Sequence, residues 1–232
     1  MTLSALGDSA VVAVLGTDID EAVLARVRAL TAALETDRPA GILDVVPAYA
    51  SVTVFYDPLR LEGEGGRPYE RVCRLLTERA RNLDAVAKKK FTSPARTVEI
   101  PVSYGGEFGP DLELLARHCG IDPAEVIKRH QGADYRVHAI GFAPGFCYLG
   151  GLPKPRHRPR RATPRPTVPA GSVGIGGAQT GVYPLSTPGG WQLIGRTPLA
   201  LFQPGEAEPA RLRVGDRVKF KSISSEEFGL WK

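Results

Sequence analysis

In the segment PRRATPRP, residues 159 to 166, Arg160, Arg161 and Arg165 stand among prolines that keep the backbone extended. A guanidinium is a planar fork of N–H donors, so three of them on a stiff stretch of chain suit a phosphate or a carboxylate. The wider run from Pro153 to Pro166 carries six cations, and for Arg156 and Arg158 a solvated basic loop is the competing reading. Further along, GIGGAQTG (Gly174 to Gly181) is rich enough in glycine to bring backbone N–H groups close to a ligand. Gln179, Thr180 and Tyr183 would then add neutral hydrogen bonds. The stretch lacks the GxxxxGKS or GxxxxGKT pattern of a nucleotide-phosphate loop, and a tight turn between strands accounts for its glycines equally well. Trp191 and Gln192 open a β-like run that presents Arg196 and Thr197 at its end.

GFAPGFCYLGGLP, residues 141 to 153, packs three aromatics, four glycines and two prolines into thirteen positions. Glycine and proline fix the turns, and Phe142, Phe146 and Tyr148, together with Trp191, suit either the wall of a pocket or the plug at the end of a barrel. Cys147 reads as packing, because only His138 is near it as a base and the spacing matches no cysteine-nucleophile motif. The other histidines are His118 and His130 on short helical stretches and His157 in the basic run. No metal-binding spacing such as HExxH links them, so no tightly bound metal is expected and no catalytic residue is assigned. His130 reads as helix-end capping or packing, with a position facing the pocket as the competing reading.

The charge pattern sets limits on this chemistry. From Tyr135 to Gly205 there are 71 residues without one Asp or Glu and with eight cations, although the chain's net charge is only +5, so the remainder carries −3. Such a block attracts anions but supplies neither a carboxylate metal cage nor a carboxylate base, and any acid must come from elsewhere in the chain or from a partner. Twelve of the twenty prolines also lie between Pro144 and Pro209, a shift in backbone style that marks a domain. No recognised nucleic-acid motif or aromatic platform accompanies the basic run, which disfavours nucleic acid as a ligand. Three cysteines without a CxxC pair argue against a disulfide framework. With no apolar run near the ~20 residues of a membrane span and no basic leader, the chain reads as soluble and cytoplasmic.

The elements that would position these residues fall into two groups. SAVVAVLG reads as a buried strand, and the following amphipathic helix has Thr17 and Asp18 as N-cap candidates. Ile42 to Val46 and Ser51 to Tyr56 form a hairpin across a Pro47-containing turn, and Pro68 opens a second helix. This βαββα order predicts a small α+β domain over residues 1–92, ended by the polar linker KKKFTSPAR. RTVEIPVSY then begins a second domain, residues 93–232. Two short helices follow, with Pro110 and Pro123 in their first turns and Asp122 and Glu125 as a capping box. The runs YRVHAIGF, GSVGIGG, WQLIGRT, LALF and DRVKFKSI predict a mainly β barrel or sandwich.

PVSYGGEFGPDL, GFAPGFCYLGGLP, PRRATPRPTVPAGSVGIGGAQTGVYPLSTPGGWQLIGRTP and the late GDRVKF together resemble one family. It includes the KipI kinase inhibitor, the B-type subunit of bacterial 5-oxoprolinase and the first subunit of allophanate hydrolases, all of carboxyltransferase C/D type. The resemblance covers essentially the whole chain. It implies an α+β fold in which a small N-terminal domain precedes a cyclophilin-like β-barrel. It further implies a subunit of an ATP-dependent amidohydrolase, with 5-oxoproline hydrolysed to glutamate or an allophanate-type amide cleaved, and ATP and Mg used by the complex. The implied partner is a homologous sister subunit, of the type of KipA, the C-type subunit of 5-oxoprolinase or the second subunit of allophanate hydrolase. A third oxoprolinase subunit would accompany the pair. The alternative that the resemblance leaves open is an inhibitor that docks on a sensor histidine kinase.

Overall fold

The computed structural model describes residues 1–61, 65–85, 96–152 and 160–231. The expected boundary between residues 92 and 93, most of the KKKFTSPAR linker, and Arg156, His157 and Arg158 lie outside the described residues. The chain divides into two compact units, Met1–Pro94 and Ala95–Lys232.

Among the described residues, the first unit has a four-stranded antiparallel sheet and the helices Glu21–Thr36 and Pro68–Ala80. Its elements are β1 (Thr2–Ala5), β2 (Ala10–Val14), α1 (Glu21–Thr36), β3 (Ile42–Ala48), β4 (Ser51–Tyr56) and α2 (Pro68–Ala80). Strand order is β1-β2-β4-β3. Alternation along β4 turns Val52 and Val54 inward, where they meet Val27, Leu30 and Leu34 of α1 and Val72 and Leu76 of α2 in one buried cluster. Pro68 takes a first-turn position in α2, as expected.

Three sequence expectations for this unit are corrected. Strand β1 adds an edge that the sequence reading did not include. The N-cap of α1 is Asp20 rather than Thr17 or Asp18, since its carboxylate accepts the Val23 N–H at 2.7 Å. Pro47 lies inside β3, opposite Val52, and the turn is instead made at Tyr49, which takes a left-handed φ of 52°.

The second unit contains β5 (Thr97–Tyr104), α3 (Leu112–Cys119), α4 (Pro123–Gln131), β6 (Tyr135–Ile140), β7 (Cys147–Gly150), β8 (Arg165–Val168), β9 (Ser172–Gly176), β10 (Gln179–Val182), β11 (Thr187–Gly189), β12 (Gln192–Arg196), β13 (Arg217–Ser222) and α5 (Ser225–Leu230). Seven strands run in the order β6-β13-β5-β12-β9-β10-β7, and β7 pairs back onto β6 to close a barrel. Pairing is antiparallel except between β5 and β13, which run parallel over six residue pairs. Val102, Tyr135, Val137, Leu149, Val173, Ile175 and Ile194 are fully buried in its core, joined by Leu115 of α3 and Val126 of α4. Strands β8 and β11 make a separate two-stranded ribbon.

Here too the sequence reading needs correction. The LALF run forms only an isolated bridge, Phe202 to Ala210, not a barrel strand. Helix α3 begins at Leu112 after an N-cap at Asp111, so Pro110 precedes it. Asp122 does take the N-cap of α4, yet its side chain caps nothing, and Glu125 forms an ion pair with Arg129 one turn on. Among the described residues no helix is long and apolar enough to cross a membrane.

Candidate functional site

Trp191, immediately before β12, organises the region. Its indole is 4% exposed and lies over strands whose facing residues are glycine. A Cβ at Gly176 would come within 2.6 Å of the ring, and one at Gly181 within 3.0 Å. The glycines of GIGGAQTG therefore make room for an aromatic ring, and the motif itself is the β9–β10 hairpin, with Gln179 opposite Gly176. Phe146 meets Trp191 edge-on at 5.5 Å between centroids, Tyr148 at 5.9 Å, and Phe146 also meets Tyr183 at 5.1 Å. Phe146 and Tyr183 are buried, and burial raises the Tyr183 hydroxyl above its ordinary pKa. Phe142 stands apart from them. It is 67% exposed with a left-handed φ of 72°, and it touches the cluster only through Phe146, at 5.6 Å.

The arginines stand beside this cluster, and a buried carboxylate joins them. Arg160 places its guanidinium carbon 5.8 Å from the centre of the Trp191 ring, within cation–π range. Arg165 donates from Nη2 to Asp111 Oδ1 at 2.8 Å, and Arg161 donates from Nη1 to the same oxygen at 3.3 Å. The other oxygen, Oδ2, accepts the backbone N–H of Leu193 at 2.7 Å. Asp111 thus neutralises one of three positive charges and ties the arginine segment to β12. A cleft of about 480 Å3 is lined by Leu114, His118, Arg160, Arg161, Ala162, Thr163 and Gln192.

Other expected site residues lie elsewhere. Arg196 sits at the far end of β12, roughly 16 Å along the strand from Trp191 at about 3.3 Å per residue. Its Nε donates to the Ala170 carbonyl at 2.7 Å, and its guanidinium lies 5.9 Å from the Phe228 ring. It pairs in register with Ser103, which lines a second cleft of about 470 Å3. Thr180 is fully buried, and its hydroxyl donates to the Gly174 carbonyl at 2.9 Å. The same oxygen accepts from His130 Nε2 at 3.0 Å, and Nδ1 shares a hydrogen bond with the Tyr104 hydroxyl at 2.8 Å. His130 is therefore a packed imidazole whose Nε2 carries a proton. Cys147 is fully buried, and burial pushes its thiol up to about 12, so it is no nucleophile at neutral pH. Among the described residues no three His, Cys, Asp or Glu side chains are grouped to hold a metal.

The residue missed by sequence reasoning is Asp111. The signal was present, since a carboxylate-free block with clustered arginines needs an acid from outside it, and Asp111 belongs to the quoted PVSYGGEFGPDL motif.

A small α+β unit together with a closed seven-stranded barrel, whose arginines gather at an aromatic cluster, is a carboxyltransferase-type arrangement. Residues 1–212 match the family described as carboxyltransferase domain, subdomain C and D, and the chain belongs to that family. Within it, the chain is similar to the B-type subunit of 5-oxoprolinase from Bacillus subtilis, 48% identical over 231 residues that cover 98% of this chain and 95% of the relative. The crystal structure of TTHA0988 superposes with a TM-score of 0.79 at 38% identity, covering 93% of this chain. This chain spans only 40% of that longer protein. The Kluyveromyces lactis urea carboxylase shares the fold, with a TM-score of 0.73 at 19% identity over 98% of this chain and 22% of its own.

Proposed function

We propose that this chain is the B-type subunit of an ATP-dependent 5-oxoprolinase, which opens the lactam of 5-oxoproline to glutamate. The observation that carries the reading is 48% identity to the Bacillus subtilis B-type subunit across 98% of the chain and 95% of that relative. It works in the cytoplasm with a sister subunit of the C type, and the greater length of TTHA0988 supports a fused counterpart of such a pair. In this reading residues 1–92 form the small α+β domain, and residues 93–232 form the barrel domain that carries the cleft.

ATP with Mg, bound at the level of the complex, would supply a phosphoryl group that turns an unreactive lactam oxygen into part of a leaving group. The cleft fits an anionic group, because Arg160 and Arg161 reach it while Asp111 occupies Arg165. Those guanidinia hold and orient charge, and Gln192 and Thr163 border it. The test is ATP turnover with 5-oxoproline, measured on the chain copurified with its sister subunit and on the chain alone. Substrate-dependent turnover is expected only in the assembly, reduced by Arg160→Ala or Arg161→Ala. A stable assembly without such turnover would overturn the substrate assignment.

A further inference from the structure

Asp111 stands at the N-cap of α3 but makes no side-chain cap hydrogen bond, which is unusual for a residue type that favours caps. Its side chain is 5% exposed, and both oxygens point to the arginine segment and β12 instead. The three arginines then divide. Arg165 has the shorter bond to Asp111, its Nη1 lies 3.5 Å from the Trp191 carbonyl, and its side chain is 21% exposed. It does not line the cleft. Arg161 has the longer bond at 3.3 Å, is 36% exposed and borders the cleft. Its buried Nε finds no acceptor among the described residues. Arg160 rests on Trp191 and borders the cleft from the next position. One arginine is a brace, and two are arms at the cleft, one of which, Arg161, keeps a buried donor unmatched among the described residues.

We propose that this cleft binds an oxyanion, a carboxylate or a phosphate, through Arg160 and Arg161, and that Asp111 is the positioning residue that holds Arg161 within reach of it. The inference rests on the reading above for an anion in this cleft, but not for the identity of the lactam. Leu114, 38% exposed, gives the cleft an apolar wall for the remainder of the ligand. Positioning and simple electrostatics predict opposite signs at Asp111. If the carboxylate acted only through its charge, Asp111→Asn would remove a repulsion and tighten anion binding. If it holds the guanidinium in place, the same change weakens binding, because an amide presents one acceptor and a poorly matched donor to the arginines and to Leu193 N–H.

The experiment uses the full chain carrying Trp231→Phe, which leaves Trp191 as the sole tryptophan of the two in the sequence. Trp191 lies beneath Arg160, so its fluorescence reports occupancy during titration with inorganic phosphate and, separately, with 5-oxoproline as the carboxylate probe. A saturable change with either supports the site, the responding probe assigning phosphate or carboxylate, and no change with both overturns it. Arg160→Ala and Arg161→Ala are expected to weaken binding about tenfold or more, the scale of one charge-assisted hydrogen bond. Arg161→Lys keeps the charge but loses the planar fork, and binding is expected to resemble that of Arg161→Ala. Asp111→Asn is expected to bind several-fold more weakly, and tighter or unchanged binding removes the positioning role. Should Asp111→Asn fail to fold, Arg161→Lys decides, since its side chain is half-exposed, and wild-type affinity there refutes the fork geometry. Intact oxyanion binding in an assembly that does not turn over 5-oxoproline removes the substrate and leaves this proposal standing. Turnover without binding does the reverse.

Discussion

Gly176→Ala bears directly on how Trp191 is seated. A methyl at this position would stand 2.6 Å from Cε2 and 2.7 Å from Cδ2 and Nε1 of the indole, well inside the ~3.5–4.0 Å of ordinary carbon contact. The ring has nowhere easy to go, being 4% exposed and bordered by Phe146 and Tyr148. The backbone is also held, because Gly176 pairs with Gln179 across the hairpin. Overpacking of this kind costs about 1–3 kcal/mol, and alanine in a strand returns roughly 0.5–1 kcal/mol relative to glycine. The expected net loss is about 1 kcal/mol, within a span of roughly 0–2.5 kcal/mol, and about 1 kcal/mol lowers the unfolding temperature by roughly 2–4 °C for a chain of this size. Near-UV circular dichroism during a thermal ramp reads both the melting and the indole environment. Gly141→Ala is the control, since a Cβ there meets no heavy atom within 4 Å and melting is expected to be unchanged. Adding Trp191→Phe to Gly176→Ala is expected to recover part of the loss by removing the contacted ring atoms. A Gly176→Ala protein that melts at or above the wild type would show that the glycine does not exist to admit the indole.

Two other outcomes follow from buried groups. Thr180→Val leaves His130 Nε2–H and the Gly174 carbonyl without the hydroxyl between them and is expected to cost about 1–3 kcal/mol in urea unfolding, whereas Thr180→Ser keeps most of the stability. Equal stability of the valine variant would mean that the hydroxyl bridges nothing of consequence. Burial raises the Cys147 thiol from 9.0 to about 12, so the neutral form is favoured by folding. The resulting stability is fully present below about pH 9 and declines as pH rises towards 12, because the unfolded chain gives up its proton first. Thiol labelling at pH 8 is expected to spare Cys147 in the native protein and reach it in urea, and rapid native labelling would contradict this burial.

The parts of the fold that repeat with a period were legible in the sequence. Helix α1 was legible as amphipathic and β4 as a β-branched run, and the buried faces they form are Val27, Leu30 and Leu34 and Val52 and Val54. Caps and turns were harder, because Thr17, Asp18 and Asp20 all have suitable side chains and only the geometry of the first turn selects Asp20. The site was legible in residue type but not in role. The sequence placed Arg161 and Arg165 together by proximity, while Asp111 meets them from 50 and 54 positions away. Likewise GIGGAQTG read equally as a ligand-facing loop or a tight turn between strands, because glycine density says that something approaches closely, not whether it is a ligand or Trp191, and the hairpin is what the structure shows. Thr180 was misjudged for a related reason, since its partner His130 lies 50 residues away.

The parallel pairing of β5 with β13 also sets an order of events during synthesis. Strand β5, Thr97–Tyr104, is made early in its unit, but its neighbour Arg217–Ser222 emerges only after every other barrel strand. Until then β5 and β6 each present an unsatisfied edge, because β13 is the strand that joins them. Among the described residues, the buried core of the Met1–Pro94 unit is drawn from residues 11–83, all of which precede β13 in the chain. Barrel closure across so long a sequence separation is thus the last pairing that synthesis permits.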